Sequence, residues 1–286
     1  MSSANIWIKG ARPRTLPAAI APVLVATALA KSDANIGRAL LALLVSLALQ
    51  IAVNYSNDYS DGVRGTDADR IGPVRLVASG LATASAVKRA ALYAFTVAGL
   101  AGLVLAWLSS WWLLAIGAAA IAAAWTYTGG KNPYGYLGLG EISVFVFFGV
   151  VATMGSYYVQ TELVTMKSFI VSIPMGALAC ALLAINNIRD LKKDAVVGKR
   201  TLAVRLGEKM SRRAFFALLL CAHIAALLTF SPWALITLIV LPITLKLGKS
   251  VTSGIEASEL IPVLAKTGQL QLLFSALLAT SLWLSR

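Results

Sequence analysis

A chain of 286 residues that is 58% hydrophobic and only 13% charged, with a mean hydropathy of +0.79, lacks the polar side chains to cover a water-soluble domain of that size. The soluble globular class is therefore excluded. The net charge of +13 does not mark a nucleic-acid partner: the basic residues fill short gaps between apolar runs, where membrane topology puts them, and no basic–aromatic recognition motif accompanies them.

A helix needs about 20 mostly apolar residues to cross a membrane, and nine runs along the chain approach that length. The expected fold class is all-α, a multi-pass transmembrane bundle of nine helices forming a single domain over residues 1–286. Lys9, Arg12 and Arg14 precede the first run, 15–31. That run ends in Ala28-Leu29-Ala30, which looks like a signal-peptide cleavage site, but Pro17 and Pro22 suit a kinked helix kept in the bundle. The second run, 38–54, passes into a polar cluster with Asn54, Asn57, Asp58, Asp61, Arg64 and Asp67. On a helix, Asn54, Asp58 and Asp61 fall at i, i+4 and i+7 and share one face. Carboxylates this close repel unless a cation joins them. Hard oxygen ligands without His or Cys point to Mg²⁺.

Runs 89–108 and 111–128 are separated only by Ser109 and Ser110, a tight hairpin, and the fourth closes on Tyr127-Thr128-Gly129-Gly130-Lys131. The fifth, 139–159, opens with Glu141, a carboxylate suited to a helix N-terminus. The sixth, 168–187, closes on a second cluster containing Asn186, Asn187, Arg189, Asp190, Lys193, Asp194, Lys199 and Arg200. Here Asn186, Asp190 and Asp194 repeat the spacing as i, i+4 and i+8. Runs 213–230, 232–248 and 268–285 complete the set. Cys180, Cys221 and His223 lie inside apolar runs and read as packing residues, with no CxxC pair to suggest a metal or disulfide. Trp7, Trp111, Trp112 and Trp233, near run ends, suit an interfacial belt.

Alternating the runs across a bilayer puts 21 of the 25 Lys and Arg residues on one side, which predicts a cytoplasmic N-terminus and cytoplasmic acidic clusters. The second, fourth and sixth helices then present their polar ends to one face. Mg²⁺ is usually held by one or two carboxylates plus substrate phosphates. Two facing acidic clusters interspersed with Arg64, Arg189, Lys199 and Arg200 therefore point to a diphosphate gripped by two Mg²⁺ ions and by cations.

These residues resemble the UbiA superfamily of intramembrane aromatic prenyltransferases. The likeness is carried by Asn54-x-x-x-Asp58, Asn57-Asp58-x-x-Asp61, Tyr127-x-x-x-Lys131 and Asp190-x-x-x-Asp194, and nine helices is that family's count. A narrower likeness is to its menaquinone-biosynthesis branch, which uses 1,4-dihydroxy-2-naphthoate. It rests on Gly10-Ala-Arg12-Pro-Arg14-Thr-Leu-Pro17, Arg70-Ile-Gly-Pro73-Val-Arg75 and Tyr127-Thr-Gly-Gly-Lys131-Asn-Pro-Tyr134. One position departs: many members carry a third Asp four residues after Asp61, where this chain has Gly65, and the next carboxylate is Asp67.

The resemblance implies that Asp58, Asp61, Asp67, Asp190 and Asp194 hold Mg²⁺ on a polyprenyl diphosphate, with Asn54, Asn57, Asn186 and Asn187 beside them. Lys131, Arg64, Lys199 and Arg200 would offset charge on the departing diphosphate, with Tyr127 among the catalytic and Arg189 among the substrate-binding residues, and Arg12, Arg14, Arg70 or Arg75 would orient the acceptor's carboxylate. It further implies a cell-membrane enzyme that draws its prenyl tail from lipid, releases diphosphate and CO₂, and forms demethylmenaquinol. The alternatives are another acceptor, such as 4-hydroxybenzoate, or a divalent-cation transporter. Transport sites sit near the bilayer midplane, whereas these clusters sit at helix ends.

Overall fold

The computed structural model describes residues 3–66, 72 and 74–285, and every regular element among them is helical. A short amphipathic helix, α1 (Ser3–Ala11), stops at Arg12, whose backbone is left-handed with φ 52°. A tight turn over Pro13–Thr15 then leads into α2 (Pro17–Ala30). The two stretches meet at 55°. Pro13 and Pro17 lack the N–H that a helix interior needs but suit a helix start, so the chain restarts at this point.

The remaining elements follow as α3 (Ile36–Arg64), α4 (Ala84–Leu108), α5 (Trp112–Thr126), α6 (Gly140–Val144), a π-helical stretch Phe145–Val151, and α7 (Ala152–Thr161). They are succeeded by α8 (Met166–Val196), α9 (Leu202–Leu206), α10 (Glu208–Leu227), a 3₁₀ stretch Pro232–Val240 continuing into α11 (Leu241–Thr252), and α12 (Leu260–Leu284). Seven units are long and apolar enough to cross a membrane, the bent α1–α2 pair makes an eighth, and Trp112–Thr126 is a shorter apolar helix. Each of the nine expected runs thus has a helix, with the fourth below full spanning length.

Two helix ends differ from expectation in a way that matters for the site. Apolar character stops near 54 and 187, but the backbone stays helical to Arg64 and Val196. At 1.5 Å rise per residue, the 29-residue α3 and 31-residue α8 run roughly 43–46 Å, longer than a hydrocarbon core of about 30 Å. Their last turns therefore carry the polar clusters out of the apolar layer without unwinding.

The best-packed part of the bundle lies around α8, whose side chains meet α2, α10 and α12 in one continuous core. Gly149 and Gly176 let the π-helical stretch close onto α8: a Cβ on Gly149 would lie 2.5 Å from the Cα of Gly176. α3 packs chiefly on α4. Large apolar side chains such as Leu100, Trp112 and Phe230 stand on the outer surface, where lipid rather than water receives them. Cys221 belongs to this outer surface, not to the interior as expected, because a lipid-facing position costs a small apolar side chain nothing. Cys180 is buried.

Candidate active site

The helical extensions of α3 and α8 flank one cavity of about 910 Å³. Along α8, Ala179, Leu182, Leu183, Asn186, Asn187, Asp190, Lys193 and Asp194 line it, a stripe at helical spacing that turns from apolar to charged toward the C-terminus. Along α3, Gln50, Val53, Asn54, Asn57 and Asp61 line the opposite wall. The inner chamber is apolar, walled by Gly99, Leu105, Ile116, Ile121, Phe147 and Phe148. The cavity is thus a greasy chamber with a charged mouth.

At the mouth, Asp61 is buried and receives three partners. Lys199 Nζ donates to its Oδ1 at 3.1 Å, the Tyr136 hydroxyl donates to the same oxygen at 2.7 Å, and an Arg75 nitrogen lies 3.7 Å from Oδ2. Gly198, at φ 78°, turns the chain so that Lys199 folds back beneath α8, its N–H donating to the Asp194 carbonyl at 2.8 Å. Burial works against the charge on Lys199, but Asp61, Tyr136 and Asp194 together outweigh it and hold the ammonium above its ordinary range. Burial first, and Asp61 second, push the Tyr136 phenol up, so it stays a donor. Its ring also lies beneath Lys199, 4.6 Å from Nζ.

Asp190 is bound bidentately by Arg189, Nε and Nη2 each 2.8 Å from its oxygens. Four lone-pair sites on a carboxylate leave room for a further ligand. Lys193 lines the cavity, and its buried Nζ has no hydrogen-bond partner among the described residues. A second, smaller hollow of about 260 Å³ opens beside the mouth, lined by Lys9, Arg12, Arg14, Val74, Arg75 and Asn186 among others. Arg12, Arg75 and Asn186 border both spaces.

Several of the candidate residues stand away from the cavity. Asp58 does not share the cavity face with Asp61: at 100° per residue it lies roughly 60° further round α3, and Asn57 takes the expected place. The Asp58 carboxylate, fully buried, accepts the N–H groups of Leu76 at 2.8 Å and Val77 at 3.1 Å, anchoring the loop that brings Arg75 to the mouth. Lys131 is exposed and outside the cavity lining, because the Gly129-Gly130 turn, with Gly130 at φ 78°, carries it away. Arg64 is spent on the carbonyls of Thr128 and Gly130. Arg200 is exposed, with its backbone N–H on the Tyr136 carbonyl at 2.9 Å. Arg189 acts through Asp190 and does not itself line the cavity.

Tyr127, Asn54, Asn57, Asn186, Asn187 and Asp194 line the cavity. Asn54 also stitches α3 to the α1–α2 break, its Nδ2 donating to the Ala11 carbonyl at 2.9 Å and the Thr15 hydroxyl at 3.0 Å. Asp67 and Arg70 lie outside the described residues. Gly65 ends α3 in left-handed backbone at φ 71°, a conformation glycine adopts without steric cost, and supplies no carboxylate at that position. His223 pairs with the Thr244 hydroxyl at 2.9 Å, away from the cavity. Tyr136 was not among the expected residues, because a tyrosine in a four-residue 3₁₀ turn, Tyr134–Leu137, carries no periodic signal.

An all-helical membrane bundle, with acidic and basic side chains converging over an apolar chamber, defines a class: an intramembrane site for an amphiphile with an anionic head. The sequence matches the UbiA prenyltransferase family over residues 19–252, and the chain belongs to that family of integral membrane proteins. It is 49% identical to the 1,4-dihydroxy-2-naphthoate octaprenyltransferase of Mycobacterium tuberculosis, the alignment covering 99% of this chain and 98% of that one. It is 38% identical to the protein of the same name from Escherichia coli, over 100% of this chain and 97% of that one. Its fold is similar to a UbiA homolog from Archaeoglobus fulgidus bound to DMAPP and Mg²⁺, with TM-score 0.65 and 15% identity over 97% of this chain and 99% of that one.

Proposed function

We propose that this chain transfers a polyprenyl group from polyprenyl diphosphate to 1,4-dihydroxy-2-naphthoate, releasing diphosphate and CO₂ and giving demethylmenaquinol for menaquinone biosynthesis. The observation that carries the reading is a cavity with a charged mouth and an apolar interior, the shape a prenyl diphosphate requires. Relatives at 38–49% identity bear the corresponding name.

Among the described residues no three Asp, Glu, His or Cys side chains group tightly enough to hold a metal alone. That spread fits Mg²⁺, which keeps waters and takes few carboxylates when substrate phosphates supply the rest. Asp61 on α3, and Asp190 and Asp194 on α8, are the residues that would hold two such ions, which would supply positive charge to the diphosphate oxygens. Lys193, Lys199 and Arg75 offset the charge that grows on the departing group. The apolar walls keep water from the allylic cation that remains, and the faces of Tyr127, Phe147 and Phe148 favour its positive charge. The acceptor's carboxylate sits in the smaller hollow, met by Arg12 and Arg75, so that its electron-rich ring reaches the mouth.

The mouth faces the cytoplasm in this reading, where the positive-inside rule puts the basic connections. The test is product analysis with solubilised protein, Mg²⁺, geranylgeranyl diphosphate and competing aromatic acceptors. Preferential prenylation of dihydroxynaphthoate with loss of CO₂ is expected, and preference for hydroxybenzoate would overturn the assignment.

A further inference from the structure

Glu141 sits in the first turn of α6 beside the cavity, and the reaction described above gives it no task. Its Oε1 accepts from Asn187 Nδ2 at 2.8 Å, and its Oε2 is buried without a hydrogen-bond partner among the described residues. Its backbone carbonyl is fixed in turn by the Cys180 thiol, which donates at 3.1 Å. The carboxylate meets its own backbone N–H at the start of α6, as a cap does, and also reaches across to α8.

We propose that Glu141 is a positioning residue that orients the Asn187 amide so that its carbonyl oxygen faces the breaking bond. The inference rests on the prenyl-transfer reading. A carboxylate accepts and cannot donate, so its contact selects the amide nitrogen of Asn187 and leaves Oδ1 for the cavity that Asn187 lines. The place along α8 matters as much as the orientation. Leu182 and Leu183 precede Asn187 on the lining and Asp190 follows it by three residues, about 4.5 Å along the axis. Asn187 therefore marks the border between the apolar chamber that suits the prenyl tail and the charged mouth that suits the diphosphate. The carbon–oxygen bond that ionises must lie at that border. A carbonyl dipole fixed there meets positive charge as it develops on the prenyl C1, and it needs no reorganisation at the moment of reaction. Across the cavity Asn57 is tied the opposite way, its Oδ1 accepting from the Thr128 hydroxyl at 2.8 Å, which leaves its NH₂ for the departing oxygen.

The experiment is a kinetic double-mutant cycle with Glu141→Ala, Asn187→Ala and the double variant, with Glu141→Gln as the conservative control. Asn187→Ala and Glu141→Ala should each lower kcat by roughly 10- to 100-fold, the scale at or below that of losing one fixed dipole in an active site, with KM for the prenyl diphosphate nearly unchanged. The double variant should be no slower than Asn187→Ala. Glu141→Gln retains a carbonyl acceptor for the amide and should recover most of the rate. Additive losses, a Gln variant as slow as the Ala variant, or a rise in KM in place of a fall in kcat would each overturn the pairing. Should Glu141→Ala fail to fold, Asn187→Ala still decides: full kcat in that variant ends the proposal. Wild-type protein that transfers prenyl groups while the cycle is additive refutes the pairing alone. Wild-type protein that prenylates no aromatic acceptor refutes the reading beneath it as well.

Discussion

Replacing Asp58 by Asn separates two roles that the sequence motif cannot distinguish. A metal ligand would face the cavity, whereas Asp58 is fully buried and holds the N–H groups of Leu76 and Val77. Hydrogen bonds to an ionised acceptor contribute about 1.5–3 kcal/mol each, so Asp58→Ala removes about 3–6 kcal/mol from the docked loop and leaves two buried N–H groups unmet. Asp58→Asn keeps one carbonyl acceptor and sets an NH₂ against the other N–H, so roughly half of that is lost. Each 1.4 kcal/mol is about a tenfold shift in the equilibrium constant between docked and undocked loop, and Arg75 is at its post beside Asp61 only when the loop is docked.

The expected result is therefore a fall of about 10- to 100-fold in kcat/KM for Asp58→Asn, on that same conversion, with the Mg²⁺ concentration for half-maximal rate unchanged. Asp61→Asn and Asp194→Asn, whose carboxylates border the cavity, should instead raise the Mg²⁺ requirement. The assay is initial rate against Mg²⁺ at saturating substrates, in detergent, with folding checked by gel filtration. Excess Mg²⁺ that restores Asp58→Asn, while leaving its acceptor KM normal, would show that Asp58 holds metal after all.

Lys199→Ala should cost about 100-fold or more in turnover, because it strips a cation from the site where charge develops, while exposed Lys131→Ala should change it by less than about threefold, since exposed cations are screened by solvent; equal losses in the two would refute the placement of the site. The Lys199 ammonium is held above its ordinary range, so its link to Asp61 stabilises the fold fully below about pH 10.4, the usual lysine value. That contribution is lost only as pH rises past the raised value, and a drop in thermal midpoint between pH 7 and 9 that Lys199→Met abolishes would contradict this. Gly149→Ala would put a methyl group 2.5 Å from the Gly176 Cα, which cannot swing aside, and should lower stability by ~1–3 kcal/mol, read as a lower unfolding midpoint. Lys131→Cys, exposed on the connection after α5, should react with an impermeant maleimide in inverted vesicles and not in intact cells; the reverse labelling would move the mouth to the other face.

What was legible in the sequence follows from which forces act locally. Apolar length depends on the bilayer and not on neighbouring helices, so all nine runs could be read as helices. Where a helix ends is another matter: the apolar stretches stop at 54 and 187, while hydrogen bonding along the backbone carries α3 and α8 about ten residues further. Spacing alone put Asn54, Asp58 and Asp61 on one face, but a face is broad. The Leu76 and Val77 N–H groups, 18 and 19 residues away, decide that Asp58 turns from the cavity and Asn57 turns toward it. The positive-inside bias makes every basic residue in the connections on the base-rich side look alike, so Lys131 and Lys199 could not be ranked until two glycine turns sent one outward and folded the other under α8. Glu141 shows the same limit from the other side. Its place at a helix start accounted for it locally, and only its contact with Asn187, 46 residues later, gives it a task. The residue types of the site are written in the sequence, but their division into those that meet substrate and those that hold them in place is a property of long-range packing.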